Sequence, residues 1–107
     1  MVEAAILQLE EDLVPDSYAL HQNYPNPFNP VTTIRYDLPE EAQVMIRIFD
    51  IQGRIVRTLV DGHEDAGRKA VPWNATNQVG EPVAAGMYIY MIQSGGFSQV
   101  RKMLLLK

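Results

Sequence analysis

One stretch near the middle of the chain decides the fold class: Gln43-Val44-Met45-Ile46-Arg47-Ile48-Phe49-Asp50. Val44, Ile46 and Ile48 stand at every second position, which is the period of a β-strand with one buried face. Ile51-Gln52-Gly53 follows, and Gly53 supplies the positive φ that a tight return between antiparallel strands requires. This region therefore predicts a β-hairpin.

The same pattern extends from the hairpin toward both ends of the chain. Further strands are predicted at Tyr18–Gln22, Val31–Leu38, Arg54–Val60, Arg68–Trp73, Met87–Gln93 and Phe97–Leu106, with loops at Asp61–Gly67 and Asn74–Gly86. Pro72 inside one strand indicates an edge strand or a bulge. Strands of this length without a helix signal predict an all-β antiparallel sandwich. Its expected large core residues are Tyr36, Phe49, Trp73, Tyr88 and Tyr90.

Composition excludes several classes of function. The 107 residues contain no cysteine, which excludes disulfides and thiolate chemistry. No apolar run approaches the roughly 20 residues of a membrane helix, so membrane insertion is not predicted. The net charge of −4 is uneven, because residues 1–17 hold five acidic and no basic residues while the remainder holds eight acidic and nine basic ones. A near-neutral body of this kind does not predict nucleic-acid binding.

The chain divides near Val14-Pro15, where proline disfavours helix at the preceding residue. Residues 1–16 and 17–107 are therefore predicted to be separate parts. Apolar residues in the first part follow a helical spacing, namely Val2, Ala5, Ile6, Leu9 and Leu13. A short helix, a strand and a linker remain open for it.

A search for catalytic and metal-binding sets finds little. His21 and His63 lie 42 positions apart, and neither has a zinc-ligand spacing or an acidic side chain that it is expected to meet. Asp61, Glu64 and Asp65 around His63 could hold a hard cation, but a solvated loop is favoured because no calcium-loop spacing is present. The sequence predicts no catalytic residues, no metal site and no cofactor.

Two other groups have simple structural explanations. Glu40-Glu41 falls in a turn after proline and is expected to face solvent. Tyr18, Tyr24, Phe28 and Phe97 could stack on sugar rings. The favoured alternative is that Tyr24 and Phe28 clamp the neighbouring proline segment onto the sandwich and that Phe97 closes its end.

The end of the chain is unusually apolar. Met103-Leu104-Leu105-Leu106 is followed only by Lys107. A free edge strand of this composition would invite aggregation. The run is therefore predicted to be a central strand that is buried on both faces.

A proline-rich segment precedes the second predicted strand, and its residues are Asn23-Tyr24-Pro25-Asn26-Pro27-Phe28-Asn29-Pro30. Proline fixes φ and lacks an amide donor, so this segment is expected to be stiff, extended and outside any central strand. Together with Tyr18–Gln22 before it, the segment resembles the opening of the C-terminal sorting domains of bacterial type IX secretion cargo.

Four later blocks agree with that family in order: Val31–Tyr36, Ile48–Val56 with its Gly53-Arg54, Trp73 through Gly80 to Gly86-Met87-Tyr88, and Arg101–Lys107 as the terminal lysine-plus-apolar motif. The resemblance covers about residues 14–107. Its middle part is also similar to the Ig-like domain of flagellar hook-capping proteins. The resemblance implies a seven-stranded antiparallel Ig-like β-sandwich over residues 17–107, with residues 1–16 as an acidic linker or a remnant of upstream cargo.

The function implied by the resemblance is sorting and anchoring, not catalysis. An outer-membrane type IX translocon would recognise the domain, and a sortase-like protease would cut on its N-terminal side. The protein would pass through the periplasm to the cell surface or extracellular space. The implied sorting-motif residues are Gly53, Gly86, Lys102, Met103, Leu104, Leu105, Leu106 and Lys107, and the N-terminal family motif is Asn23–Pro30. The terminal strand is expected to be recognised by strand addition at its edge.

Three further expectations accompany this hypothesis. The domain could instead be a carbohydrate-binding module of a secreted hydrolase, or a structural Ig-like spacer whose end motif belongs only to the core. Met103–Leu106 offers a route to a homodimer. No export signal is seen before residue 17, so the chain is expected to be a fragment with an added Met1.

Overall fold

The computed structural model describes residues 14–107, and the predictions for residues 1–13 lie outside them. The strands are β1 (Ala19–Leu20), β2 (Thr32–Leu38), β3 (Ala42–Asp50), β4 (Ile55–Glu64), β5 (Gly67–Trp73), β6 (Gly86–Ser94) and β7 (Phe97–Leu105). They form two antiparallel sheets with the orders β1-β2-β5 and β4-β3-β6-β7. The predicted all-β sandwich of seven strands is confirmed. No helix in the described part of the chain has the length and apolarity needed to cross a membrane.

The core lies between the two sheets, where alternation turns one face of each strand inward. Its buried strand residues are Leu20, Ile34, Tyr36, Leu38, Val44, Ile46, Ile48, Trp73, Tyr88, Tyr90, Ile92, Met103 and Leu105. The Trp73 ring meets Tyr88 edge-on, with centroids 5.4 Å apart, and Phe28 at 5.8 Å. The prediction that Phe49 belongs to this core is wrong, because Ile48 takes the inward position and leaves Phe49 half-buried on the outer face. Phe28, which lies outside every strand, supplies a buried ring instead.

The strand ends differ from the sequence-based boundaries by more than one residue in two places. The predicted loop at Asp61–Gly67 is wrong, since β4 continues pairing with β3 as far as Ala42 opposite Glu64. As an edge strand β4 tolerates polar residues, and Glu64 accepts a 2.6 Å hydrogen bond from the Tyr36 hydroxyl. The first strand is shorter than predicted, because only Ala19–Leu20 pairs regularly with β2.

The prediction for Pro72 is confirmed. β5 lies at the edge of its sheet and pairs only with β2, so the missing amide hydrogen of Pro72 removes no bond between two inner strands.

The terminal strand β7 is also an edge strand, so the prediction of a central strand is wrong. One of its edges pairs with β6 from Gly86↔Leu105 to Ser94↔Phe97. Its other edge is partly covered by the proline-rich segment, which is not a strand of the sheet. The position of β7 determines which groups of the terminal motif a partner can reach.

Candidate functional site

The terminal motif has two chemically different faces. Met103 and Leu105 point into the core, and Leu105 is only 1% exposed. Lys102, Leu104 and Leu106 point outward, and Leu106 is 48% exposed. Because successive side chains of a strand point to opposite faces, these two groups lie on different faces of β7. A binding partner could contact the second group, whereas the first group stabilises the sandwich.

The two glycines of the predicted sorting motif lie at the same end of the four-stranded sheet as the terminal motif. Gly86 is the first residue of β6 and stands opposite Leu105. Gly53 lies in the β3–β4 turn directly after Asp50, which stands opposite Tyr88. The structure therefore brings together residues that are up to about half the chain apart in sequence.

The β3–β4 turn is organised by Asp50. Its Oδ1 accepts hydrogen bonds from the amides of Gln52 at 2.9 Å and Arg54 at 3.0 Å, and its Oδ2 lies 2.8 Å from Arg54 Nε. The Gly53 amide donates to the Asp50 carbonyl at 3.0 Å. The bond from the Arg54 amide, with help from the guanidinium, holds the pKa of the Asp50 carboxyl below its usual range.

We expect Gly53→Ala to lower the free energy of unfolding by about 1–2 kcal/mol, the cost of an L-residue in the left-handed region. The φ of Gly53 is +84°, and a Cβ there would meet nothing within 4 Å, so the cost comes from the backbone alone. Urea unfolding monitored by Trp73 fluorescence measures it. Gly62→Ala is the matched control, since it also has open space but no positive φ. Equal destabilisation by both changes would contradict the explanation.

The proline-rich segment, residues 23–30, binds the outer edge of β7. The Phe28 amide donates to the Leu104 carbonyl at 3.0 Å, and the Leu106 amide donates to the Phe28 carbonyl at 2.9 Å. The Leu104 amide donates to Asn26 Oδ1 at 3.0 Å. Immediately before the segment, Gln22 Nε2 donates to the Lys102 carbonyl at 2.8 Å. The edge is therefore occupied at the terminal motif, and strand addition there would have to displace the segment.

A buried polar network holds the segment in this position. The Tyr90 hydroxyl donates to the His21 carbonyl at 2.7 Å and accepts from the Asn23 amide at 2.8 Å. Asn23 Nδ2 donates to Thr32 Oγ1 at 2.9 Å, and Thr32 Oγ1 in turn donates to the Pro25 carbonyl at 2.8 Å. Asn23 and Thr32 are both buried, so each bond satisfies a group that could not reach water.

A partly exposed apolar surface adjoins the terminal motif on the outside of the four-stranded sheet. We call it the outer apolar face, and it consists of Phe49, Ile55, Met87, Ile89, Leu104 and Leu106, with Lys102 beside it. The pairings Phe49↔Ile55, Phe49↔Ile89 and Met87↔Leu104 make it continuous across the four strands. In the sequence, the signal that could have revealed this surface is that these strands carry apolar residues on both faces.

Comparison with known families decides the classification of the chain. The model of the FlgD Ig-like domain matches residues 29–96, which is well over half of the sequence. The chain belongs to the FlgD Ig-like domain family. Its sandwich is therefore Ig-like, as the sequence resemblance implied. The fold of this family is non-catalytic. No curated protein matches the chain.

Solved structures show the same fold. Dimeric latent PorU from Porphyromonas gingivalis superimposes with a TM-score of 0.65 at 21% identity, covering 81% of this chain and 9% of PorU. PorZ, an essential surface component of the type IX secretion system of the same organism, gives 0.56 at 23% identity, with 86% and 12% covered. FlgD from P. aeruginosa gives 0.56 at 18% identity, with 74% and 70% covered. The chain thus spans only about a tenth of the length of PorU and of PorZ.

The remaining candidate residues are the two histidines and the acidic residues around His63. The FlgD-type sandwich does not bring them together into one cluster. The expectation that the histidines meet no acid is wrong: His21 Nε2 lies 3.0 Å from Asp37 Oδ2, and His63 Nε2 lies 3.5 Å from Glu41 Oε2. No group of acidic or histidine side chains within residues 14–107 is arranged to hold a metal ion. Asp61 and Glu64 lie on opposite faces of β4, and Asp65 lies beyond its end, which is why adjacency in sequence does not bring them together.

Aromatic residues in this Ig-like domain serve mainly packing. Phe28 clamps the proline-rich segment as expected, since its ring is 2% exposed. The same expectation is wrong for Tyr24, whose side chain is 74% exposed. Tyr18 and Phe97 stack on each other with centroids 5.4 Å apart, near the β6–β7 turn. The described residues contain no row of exposed rings that could lie flat on a polysaccharide.

Proposed function

We propose that this domain is a non-enzymatic sorting and cell-surface anchoring domain of a larger exported protein, recognised by a type IX outer-membrane translocon. The observation that carries the proposal is the contact between Phe28 and Leu104–Leu106. The two segments on which the sequence resemblance is most specific lie far apart in the chain but adjoin in space. They form one end of the sandwich, beside the outer apolar face.

Two features support recognition at this end. A continuous, partly exposed apolar surface with a flanking lysine is typical of a protein-interaction site. A domain of the same fold occurs in PorZ, a surface component of the type IX system. Gly53 and Gly86 would contribute by shaping the turn and the strand start that border the surface.

The recognition surface would use the outward residues Lys102, Leu104, Leu106 and Lys107. Met103 and Leu105 would act only through stability, because the core encloses them. Binding by strand addition would be restricted to the part of β7 before Lys102, since the edge at residues 102–106 is already hydrogen-bonded. The cut by a sortase-like protease would fall on the N-terminal side, within residues 1–16.

Lys102→Gln combined with Leu106→Ser is expected to reduce surface export about tenfold or more, the loss of a contact worth at least ~1.4 kcal/mol. The test fuses the complete chain to the C-terminus of a reporter with an export signal in a type IX-competent cell, and surface reporter is measured by protease accessibility. Val100→Ser is the matched control, because Val100 lies on the same face of β7 with 54% exposure but outside the motif.

Measurements of unfolding free energy distinguish this proposal from the hypothesis that the domain is a structural spacer. The double variant changes only exposed side chains, so its unfolding free energy should stay within about 0.5 kcal/mol of the wild type. Leu105→Ala is expected to lose about 2–5 kcal/mol. If export follows stability alone, falling for Leu105→Ala and not for the double variant, the spacer hypothesis is correct and the recognition surface is not.

The geometry limits how a homodimer could form, and it gives no support to a carbohydrate-binding module. A homodimer through Met103–Leu106 would have only Leu104 and Leu106 available, so it would have to use the outer apolar face. No observation favours a carbohydrate-binding module, because Tyr24 is the one strongly exposed ring among residues 14–107.

A further inference from the structure

The apolar surface on the outside of the four-stranded sheet continues along β6 beyond the outer apolar face. The outward side chains of β6 are Met87, Ile89 and Met91, since the residues between them are buried in the core. We call these three residues the β6 strip. It is about 13 Å long at the rise of a β-strand. Met87 is 44% exposed, and Ile89 and Met91 are half-buried, so the strip is a continuous apolar line that a partner can reach.

The strip has the composition of a docking surface. An apolar sheet face is normally covered by a second layer of structure. Within residues 14–107 the layer that packs on this sheet is the other sheet, and it lies on the inner side. Methionine side chains are flexible and polarisable, and they adapt to the shape of a bound partner. The outer side of β6 is therefore suited to a partner from outside the described part of the chain.

One cation lies on each side of the β6 strip. On β3, Arg47 stands directly opposite Met91, and on β7, Lys102 stands directly opposite Ile89. Arg47 Nε donates to Thr58 Oγ1 at 3.3 Å, which leaves the charge of the guanidinium unneutralised. Neither cation forms a salt bridge with another residue of the described chain. The strip is thus an apolar line with a positive charge on both flanks.

The carboxylates of the four strands do not cancel these two charges directly. Asp61 is the carboxylate of β4 on the same face, and it stands opposite Met45, toward the end of the sheet away from the terminal motif. It makes no salt bridge within residues 14–107. Asp50 is paired with Arg54, and Glu64 accepts a hydrogen bond from a core tyrosine. A bound carboxylate is therefore favoured beside the strip and disfavoured beside Asp61.

We propose that the β6 strip and its two flanking cations bind an amphipathic helix of a partner protein, with carboxylates on both sides of the apolar face of that helix. The backbones of Arg47 and Lys102 lie on β3 and β7, two strand spacings or roughly 10 Å apart across the sheet. This width is about the diameter of a helix. An extended segment is one strand spacing wide and would contact only one of the cations. The inference rests on the proposed function, because it names the chemistry of the partner that recognises this side of the domain.

Nuclear magnetic resonance titration of the complete isotope-labelled chain tests the proposal. The probe is a synthetic peptide of about twenty residues, long enough to be helical alone, with leucine on one face and glutamate on both flanks. We expect saturable shifts confined to the amides of Arg47 and of residues 87–91 and 100–104. The same peptide with lysine in place of glutamate should bind at least tenfold more weakly. Equal binding of the two peptides, or no saturable binding of the glutamate peptide, would overturn the proposal.

A third peptide establishes whether the bound segment is helical. It has the composition of the glutamate peptide except for two central prolines, which break a helix. We expect it to bind at least tenfold more weakly than the unbroken peptide. Binding of equal strength would show that an extended segment is accepted, and the helical partner would be excluded.

Variants of the chain establish which side chains carry the binding. Lys102→Gln and Arg47→Gln are each expected to weaken binding of the glutamate peptide about threefold to fivefold, as for a partly exposed ion pair. Asp61→Asn removes a repulsion and should strengthen it. Met87→Gln keeps the length of the side chain but makes it polar, and should weaken binding about tenfold. Arg35→Gln removes the same charge from the other sheet and is the matched control. Equal weakening by Arg35→Gln and Lys102→Gln would show that only net charge matters, and the proposal would fail.

Two further results separate this inference from its alternatives. Sedimentation of the free chain as a dimer, dispersed by Met87→Gln, would assign the strip to a second copy and overturn the helical partner. If the glutamate peptide binds while the Lys102→Gln and Leu106→Ser double variant is exported normally, this inference is supported and the proposed function fails. If export is lost in that variant but no peptide binds, the proposed function is supported and this inference fails.

Discussion

Phe28→Ala is expected to lower the free energy of unfolding by about 3–5 kcal/mol, the usual cost of removing a buried aromatic ring. The ring is 2% exposed and packs on Trp73, so its removal leaves a cavity in the core. Its backbone also bonds Leu104 and Leu106, and a displaced segment would leave the β7 edge open. Because domains of this size are stabilised by roughly 5–15 kcal/mol, much of the stability would be lost. Urea unfolding measures the change.

Tyr24→Ala is the matched control for this prediction. Tyr24 belongs to the same segment, but its ring is 74% exposed, and its backbone bonds to Thr33 do not depend on the side chain. Its replacement should change stability by no more than about 0.5 kcal/mol. Similar losses for Phe28→Ala and Tyr24→Ala would show that the segment contributes through backbone stiffness and not through the buried ring.

Raising the pH above 10 is expected to destabilise the domain steeply, through three buried tyrosines. Burial, with a smaller contribution from the hydrogen bond to Glu64, raises the pKa of the Tyr36 hydroxyl well above the usual value for tyrosine. Burial also raises the pKa values of Tyr88 and Tyr90. Each hydroxyl donates a hydrogen bond, to Glu64, to the Ala84 carbonyl and to the His21 carbonyl respectively, and would lose its proton on ionisation.

The direction of this pH dependence follows from the linkage between tyrosine ionisation and folding. A tyrosine with a raised pKa in the folded state stays protonated when the unfolded chain has ionised, so its stabilisation is complete below pH 10 and declines above it. Each such tyrosine removes about 1.4 kcal/mol per pH unit until its folded pKa is reached. Thermal unfolding between pH 8 and 12 measures the slope. Tyr36→Phe cannot ionise and should reduce the slope by about a third, and an unchanged slope in that variant would contradict the assignment.

Much of the fold could be predicted because its signals are local. Val44, Ile46 and Ile48 repeat with the strand period, and the structure buries all three. Pro72 indicated an edge strand, since a residue without an amide hydrogen cannot pair on both sides. Phe49 was misassigned because alternation identifies two faces but does not indicate which large residue is needed inside. That depends on what other segments bring to the core, and here Phe28 filled the space.

The candidate site was predicted residue by residue but not as an arrangement. The proline-rich segment and the terminal motif were both recognised, yet their contact joins residues nearly 80 positions apart. No local pattern encodes a hydrogen bond from Leu104 to Asn26. The same limit applies to the outer apolar face, whose members come from different strands.

The sequence alone determined the all-β fold class, the number and order of the strands and the Ig-like resemblance, because these depend on residue period, turn chemistry and a family-like order of blocks. Only the tertiary structure decided that β7 is an edge strand, that residues 23–30 occupy part of its free edge, and that Leu106 faces solvent while Leu105 does not. The physical reason is that edge position and exposure are set by contacts between distant segments. Such contacts depend on which segments meet in the folded chain, and no single segment specifies them.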